Sequence, residues 1–269
     1  MTRAAAQIAV LSAALAAALL AAQPAAAAPD SIAATPPSNV SACYEIAWGG
    51  IGFADLSLTV TADRGFRART LIQTFGLVDL FGAFHYDATS DGRLIDSDLA
   101  LPGQYVVLDG DKADKLERIA LDFDPNSGAV AQQVTPPRHK ERVEPALRTG
   151  AVDPLTALLQ ARGAIRRSLL GGPPNVIVPI YDGSKRYDLE LMVLGHVRQT
   201  IGGTDWPLIH ATARLKPIAG FRPRQLEHVQ DPAELYLSDD AYLLPVRAES
   251  GWSSLTLVNR RTDGRPCRS

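Results

Sequence analysis

The chain has 269 residues, 46% of them hydrophobic, with 27 basic and 29 acidic side chains and a formal charge of −2 at neutral pH. So even a balance excludes an electrostatic case for nucleic acid, which needs a clustered basic excess to displace counterions from phosphates. With two cysteines and five scattered histidines, none in an HExxH or HxH arrangement, the composition offers no metal centre, and no cofactor is expected.

Residues 1–27 read as an export signal. Arg3 supplies the charged tip, Ile8 to Leu20 form an uncharged apolar run, and Gln23-Pro24 with the following alanines gives the small-residue ending that a signal peptidase accepts. Cleavage is placed after Ala27, because a cut one residue later would set Pro29 directly beyond the scissile bond. The apolar run is shorter than the roughly 18 residues of a spanning helix, and no later stretch approaches that length. The expected product is periplasmic, without a transmembrane span, and about 242 residues long, a size that suits one large β domain. Residues 28–42, rich in proline, serine and alanine, are expected as a flexible leader, and 43–269 as one β-rich domain.

Cys43 and Cys267 stand at the two ends of that domain. In an oxidising compartment an isolated pair most often forms a structural disulfide, which here would close a loop of about 225 residues and require the first and last strands to be neighbours. Free buried thiols are the alternative. A zinc site is disfavoured because two thiolates leave the ion short of ligands.

From Cys43 onward apolar residues alternate with polar ones. Leu56, Leu58 and Val60 share one face of a strand, and the pattern recurs at Ile119, Leu121 and Phe123, at Leu189, Leu191 and Val193, and at Ile209, Ala211, Ala213 and Leu215. Asp63-Arg64-Gly65, Asp91-Gly92, Asp109-Gly110, Asn126-Ser127-Gly128, Asp182-Gly183 and Gly202-Gly203 are expected as the tight turns between strands. The result is an antiparallel meander.

One segment has a different period. Asp153-Pro154 is an N-cap followed by proline in the first turn, and Leu155, Leu158, Leu159, Arg162, Ile165 and Leu169 repeat helically until Gly171-Gly172-Pro173-Pro174. The spacing predicts an amphipathic helix over 153–170 that plugs or covers a curved sheet, with Gln160, Arg166 and Arg167 facing elsewhere. Thr135 to Gly150, charged and proline-rich, is expected as an exposed connection between a front and a back half of the sheet.

No catalytic constellation is written in the chain. Gly251-Trp252-Ser253-Ser254 lacks the second glycine of a nucleophile elbow and precedes no helix. Asp239-Asp240 fits a turn better than an acid/base pair. Gly49-Gly50-Ile51-Gly52 lies between strands rather than at a helix N-terminus that could receive an anion. The run from Phe75 to Phe84 has neither clean alternation nor a polar face. It reads as a buried corner of the core; the functional alternative makes Leu77, Leu80, Phe81 and Phe84 the lining of an apolar-ligand cavity or a membrane-touching loop.

Several strings resemble a family of exported bacterial proteins known as domain of unknown function 3108. They are Tyr44-Glu45-Ile46 with Trp48-Gly49-Gly50, then Gly76-Leu77-Val78-Asp79-Leu80, Asp153-Pro154-Leu155, Val178-Pro179-Ile180-Tyr181-Asp182-Gly183 with Arg186-Tyr187, and Leu237-Ser238-Asp239-Asp240 with Leu244-Pro245-Val246. The resemblance implies a β-rich envelope protein similar in shape to periplasmic lipoprotein carriers, in which an incomplete barrel embraces a helix and the concave face is apolar. It carries no activity and no functional residues.

The expected fold is mainly β, a single strongly curved antiparallel sheet, an incomplete barrel or β-spiral, wrapped around one amphipathic helix. The expected function is non-enzymatic: an envelope protein holding a lipid or acylated ligand in the concave face and supporting envelope integrity. The alternative is a structural module that binds an envelope protein partner and has a filled core.

Overall fold

The computed structural model describes residue 32 and residues 39–75, 85–96, 98–110, 116–136, 143–201, 204–227, 231–251 and 253–261. The chain is mainly β. Its first half is a meander of β1 (Asn39–Trp48), β2 (Ile51–Ala62), β3 (Phe66–Thr74), β4 (His85–Asp96), β5 (Leu99–Gly110), β6 (Glu117–Phe123) and β7 (Val130–Thr135). A connection with the short helix α1 (Pro145–Arg148) leads to α2 (Pro154–Leu169). The second half is a meander of β8 (Asn175–Tyr181), β9 (Arg186–Ile201), β10 (Thr204–Ala219), the short helix α3 (Pro223–Leu226), β11 (Ala233–Ser238), β12 (Pro245–Ser250) and β13 (Ser253–Arg261).

All thirteen strands form one antiparallel sheet, in the order β7-β6-β5-β4-β3-β2-β1-β13-β12-β11-β10-β9-β8. The two meanders therefore join where the first strand meets the last, with Tyr44 opposite Leu257 and Ile46 opposite Leu255. This is the neighbour relation that a Cys43–Cys267 disulfide would require. The strand ladder does not close into a barrel, since β7 and β8 are its two ends.

The sheet nevertheless curls round. Helix α2 packs against β3, β4 and β5 on one side and against β8 and β9 on the other, although β4 and β9 are separated by seven strands in the sheet order. Bulges supply the bending: the register skips one residue at Phe53 of β2, Gly103 of β5, Leu194 of β9, Val246 of β12 and Val258 of β13. Each extra residue increases local twist.

The two sheet ends meet through other contacts. On β7 the Gln132 amide Nε2 donates to the Gly183 carbonyl at 2.6 Å, and its Oε1 accepts from the Tyr181 hydroxyl of β8 at 2.7 Å. The outer edge of β8 is covered by Val152, whose N–H donates to Pro179 and whose carbonyl accepts from Tyr181, both at 2.9 Å. These two bonds satisfy backbone groups that an open edge would leave bare.

Three expectations need correction. Strand β1 begins at Asn39, inside the segment expected as a leader, because Val40 and Ala42 extend the buried alternation; Ile32 is buried as well. Asp91-Gly92 is not a turn but lies within β4, opposite a bulge at Gly103 of β5: a Cβ on Gly92 would lie 2.1 Å from the Leu101 carbonyl and 2.7 Å from the Phe66 ring, so glycine is needed there for close approach. The connection between the halves is not wholly exposed. Val143 and Arg148 are buried, Arg148 donating through Nε and Nη2 to the Val143 carbonyl while its guanidinium lies 5.2 Å over the Tyr181 ring.

Helix α2 starts and stops as its residues dictate, with Asp153 as N-cap and Leu170 as C-cap. It is more deeply enclosed than an amphipathic cover. Every residue from Pro154 to Leu159 is buried, and so is Arg166, which the helical period assigned to the outward side. Gly163 lets the helix touch the β4–β5 turn, where an added Cβ would stand 2.1 Å from the Asp98 carbonyl. Gly163→Ala, ordinarily favourable within a helix, is expected to destabilise the protein by about 2 kcal/mol because backbone lies against that position. A urea melt that showed this variant equal to or above the parent would contradict the packing.

Candidate functional site

The concave side of the sheet is built by alternating residues. On β1 the residues Val40, Ala42, Tyr44 and Ile46 face inward, in register with Val60, Leu58, Leu56 and Ala54 of β2. Leu255 of β13, Ala248 of β12 and Leu235 of β11 continue this wall. One polar atom interrupts it. The Tyr44 hydroxyl is buried and has no hydrogen-bond partner, and burial pushes its pKa well above the usual phenol value, so it stays protonated. An orphan hydroxyl in an apolar wall is a group to which a ligand carbonyl or ester could bond.

At the N-terminal end of α2 the interior turns polar. Asp153 is fully buried, with Oδ1 accepting from the backbone N–H of Leu155 and of Thr156, each at 3.0 Å, and Oδ2 accepting from the Thr156 hydroxyl at 2.5 Å. Ser90 Oγ of β4 lies 3.3 Å from Thr156 Oγ1, and the hydroxyls of Tyr86 and Tyr105 are 2.8 Å apart. Burial raises the Asp153 pKa against these hydrogen bonds, and raises those of Tyr86, Tyr105 and Tyr187 too. The carboxylate spends its lone pairs on the first turn of the helix, so this cluster fixes where α2 begins.

The C-terminal half of α2 carries a second polar group of opposite charge. Arg166, 4% exposed, donates through Nη2 to the Ala241 carbonyl at 2.8 Å and places Nη1 3.6 Å from Asp98 Oδ1. Its Nε is buried without an acceptor, and Asp98 Oδ1 without a donor. Arg162, one turn earlier and half-buried, has neither a hydrogen bond nor an ion pair among the described residues. Desolvation and the Arg166 charge push its pKa down to about 10, with Asp98 opposing. Sequence reasoning passed over this pair. The signal was a like-charged i,i+4 couple inside a leucine stripe, which helices disfavour unless something compensates it.

Of the residues singled out from sequence, Cys43 lies on β1 beside Tyr44 and is not a free thiol; Cys267 is outside the described residues. Leu77, Leu80, Phe81 and Phe84 are likewise outside them. The strands that bracket this run, β3 and β4, end and begin at the edge of the sheet where the β1–β2 turn lies. At that turn Gly49 and Gly50 adopt positive φ, and the flanking Trp48 and Ile51 are 45% and 75% exposed. Among the described residues the histidines are not gathered: His196 pairs with Asp239 at 3.1 Å, and His210 stacks on Tyr236 and contacts Glu234 at 2.6 Å. Among the described residues no group of three or more His, Cys, Asp or Glu side chains could hold a metal ion. Among them, too, no helix is long and apolar enough to cross a membrane.

Comparison with known proteins gives a family and a fold. The family model described as "Protein of unknown function (DUF3108)" matches residues 43–253. Among solved structures, the chain is similar to a beta-barrel-like protein of domain of unknown function DUF1849 from Brucella abortus. The TM-score is 0.53 at 11% sequence identity, over 85% of this chain and 99% of that one. At that identity the likeness concerns the fold alone. No curated protein matches.

Proposed function

We propose, for a chain that belongs to the DUF3108 family of proteins of unknown function, a non-enzymatic role in the periplasm: binding a lipid or other apolar ligand against the concave face of the sheet, in support of envelope integrity. In this reading residues 1–27 direct export, and a Cys43–Cys267 disulfide ties β1 to the chain beyond β13.

The observation that carries the reading is the apolar wall of β1, β2 and Leu255 of β13, interrupted by the Tyr44 hydroxyl, which is buried and unpartnered. Helix α2 packs chiefly against β3–β5 and β8–β9, so this wall is not the one that the helix mainly covers. An acyl chain would be lined by these side chains, and a carbonyl near its head would accept from Tyr44. The exposed Trp48 and Ile51 at the rim offer a first contact for an apolar ligand.

The test is mass spectrometry of an organic extract of protein purified natively from envelopes. An acyl-bearing species close to equimolar with protein is expected. Protein that carries no lipid, and binds none when offered it, would end this proposal.

A second reading, a partner-binding module with a filled core, draws on the outward face of β8 and β9, where Ile177, Met192 and Leu194 are exposed together. Crosslinking in intact envelopes that returned one protein partner, with an empty lipid extract, would favour it.

A further inference from the structure

We infer that Arg162 and Arg166 of α2 form an anion-recognising subsite that takes the carboxylate or phosphate oxygens of an acyl-chain amphiphile. This rests on the preceding section for the acyl tail, and names the headgroup chemistry that the tail would carry.

Three polar groups without adequate partners converge here. The Arg162 guanidinium has none among the described residues. Arg166 Nε is buried with no acceptor, and the Asp98 carboxylate stands 3.6 Å from Arg166, too far for a hydrogen bond. Two guanidinium groups thus face one carboxylate, and that carboxylate is already turned toward Arg166. One carboxylate against two guanidinium groups leaves a positive charge over at the site, which is costly to hold away from water. Placing it on a helix whose neighbouring turns carry Leu158, Leu159 and Ile165, all buried, gives up packing that a leucine would supply.

An anionic oxygen group reverses this. It accepts from Arg162 and from Arg166 Nε, both charge-assisted donors, and it restores the charge balance against Asp98. The geometry also holds the donors in place beforehand. Arg166 is tied to the β11–β12 turn through Ala241, and Arg167 donates to the Asp98 carbonyl at 3.2 Å, fixing the β4–β5 turn beside the helix. Arg162 keeps part of its surface exposed. The leucines adjoining it on α2 continue into the apolar interior, which is where the chain of an amphiphile would lie.

The experiment is isothermal titration calorimetry at pH 8 in phosphate-free buffer with three probes: oleate, oleyl alcohol and inorganic phosphate. Each is offered to the full exported chain and to the Arg162→Gln and Arg162→Lys variants. The parent is expected to bind oleate about tenfold or more tighter than oleyl alcohol, the margin of charge-assisted hydrogen bonds. Arg162→Gln removes that margin while leaving oleyl alcohol unchanged, and Arg162→Lys retains part of it. Thermal melts show whether each variant folds; the lysine variant keeps the charge and serves if the glutamine variant does not.

The outcomes separate the two proposals. If oleate and oleyl alcohol bind equally, or Arg162→Gln leaves their ratio intact, the anion subsite is overturned and the apolar-ligand reading survives. If neither long-chain probe binds but phosphate does, and Arg162→Gln abolishes it, the subsite stands for a free anion and the apolar reading falls. If no probe binds the parent, both fall.

Discussion

Reducing the proposed Cys43–Cys267 disulfide is expected to lower the unfolding free energy by about 4–5 kcal/mol, the largest single effect available in this molecule. The estimate follows from loop entropy. A cross-link that closes about 225 residues removes a large share of the conformations open to the unfolded chain, worth roughly 5 kcal/mol before native strain is subtracted. The topology says where the effect appears. Cys43 sits at a register shift of β1, opposite Asn259, and β1 is the strand that joins the two meanders. Pairing β1 with β13 is the ladder that brings together residues farthest apart in the chain, so it bears the highest loop-closure cost. With the disulfide reduced, backbone amides of Tyr44, Ile46 and Leu255 should exchange with solvent earlier than those of the local β4–β5 hairpin. A double Cys43→Ser, Cys267→Ser variant should behave as the reduced parent does. Two titratable thiols in the unreduced, denatured parent, or a urea midpoint insensitive to reductant, would refute the cross-link.

What the sequence made legible was local in origin. Alternation is a property of neighbouring residues, so the runs around Leu56–Val60, Leu189–Val193 and Ile209–Leu215 announce their strands, and Asp153-Pro154 announces its helix without reference to anything distant. The curled sheet was anticipated from those strands, the helix and the paired ends. Other features depend on partners from remote parts of the chain. Asp91-Gly92 has the chemistry of a turn, but its glycine is there because Leu101 and Phe66 approach it closely, which no local pattern reveals. Arg166 fell on the outward side of the helical wheel, yet it is buried, because the turns bearing Asp98 and Ala241 close over it. Inward and outward lose their meaning for a helix enclosed on several sides. For the same reason the unpaired Arg162 could be counted as one more member of a periodic stripe.

Asp153→Ala is expected to destabilise the protein by about 3 kcal/mol. The substitution strands the backbone N–H groups of Leu155 and Thr156 and the Thr156 hydroxyl, inside a site from which water is shut out by the surrounding sheet. Losing an N-cap costs about 1 kcal/mol, and each buried donor left unpaired adds to it. Asp153→Asn keeps the accepting oxygen and should cost about 1 kcal/mol or less. The comparison of parent with this variant carries a pH dependence of definite sign. Burial raises the Asp153 pKa in the folded state, with the hydrogen bonds from Thr156, Ser90 and Leu155 only partly offsetting it. Between the ordinary carboxylate value and the raised one, the folded chain binds more protons than the unfolded chain, so this group's contribution falls as pH rises. It is fully present below the unfolded value and lost as pH climbs through the folded one. The parent should therefore gain on Asp153→Asn as pH is lowered from neutral toward about 4, read as a widening gap between their urea midpoints. A gap that narrows on acidification would mean that the capping bonds outweigh burial, so that the Asp153 pKa lies below rather than above the usual carboxylate range.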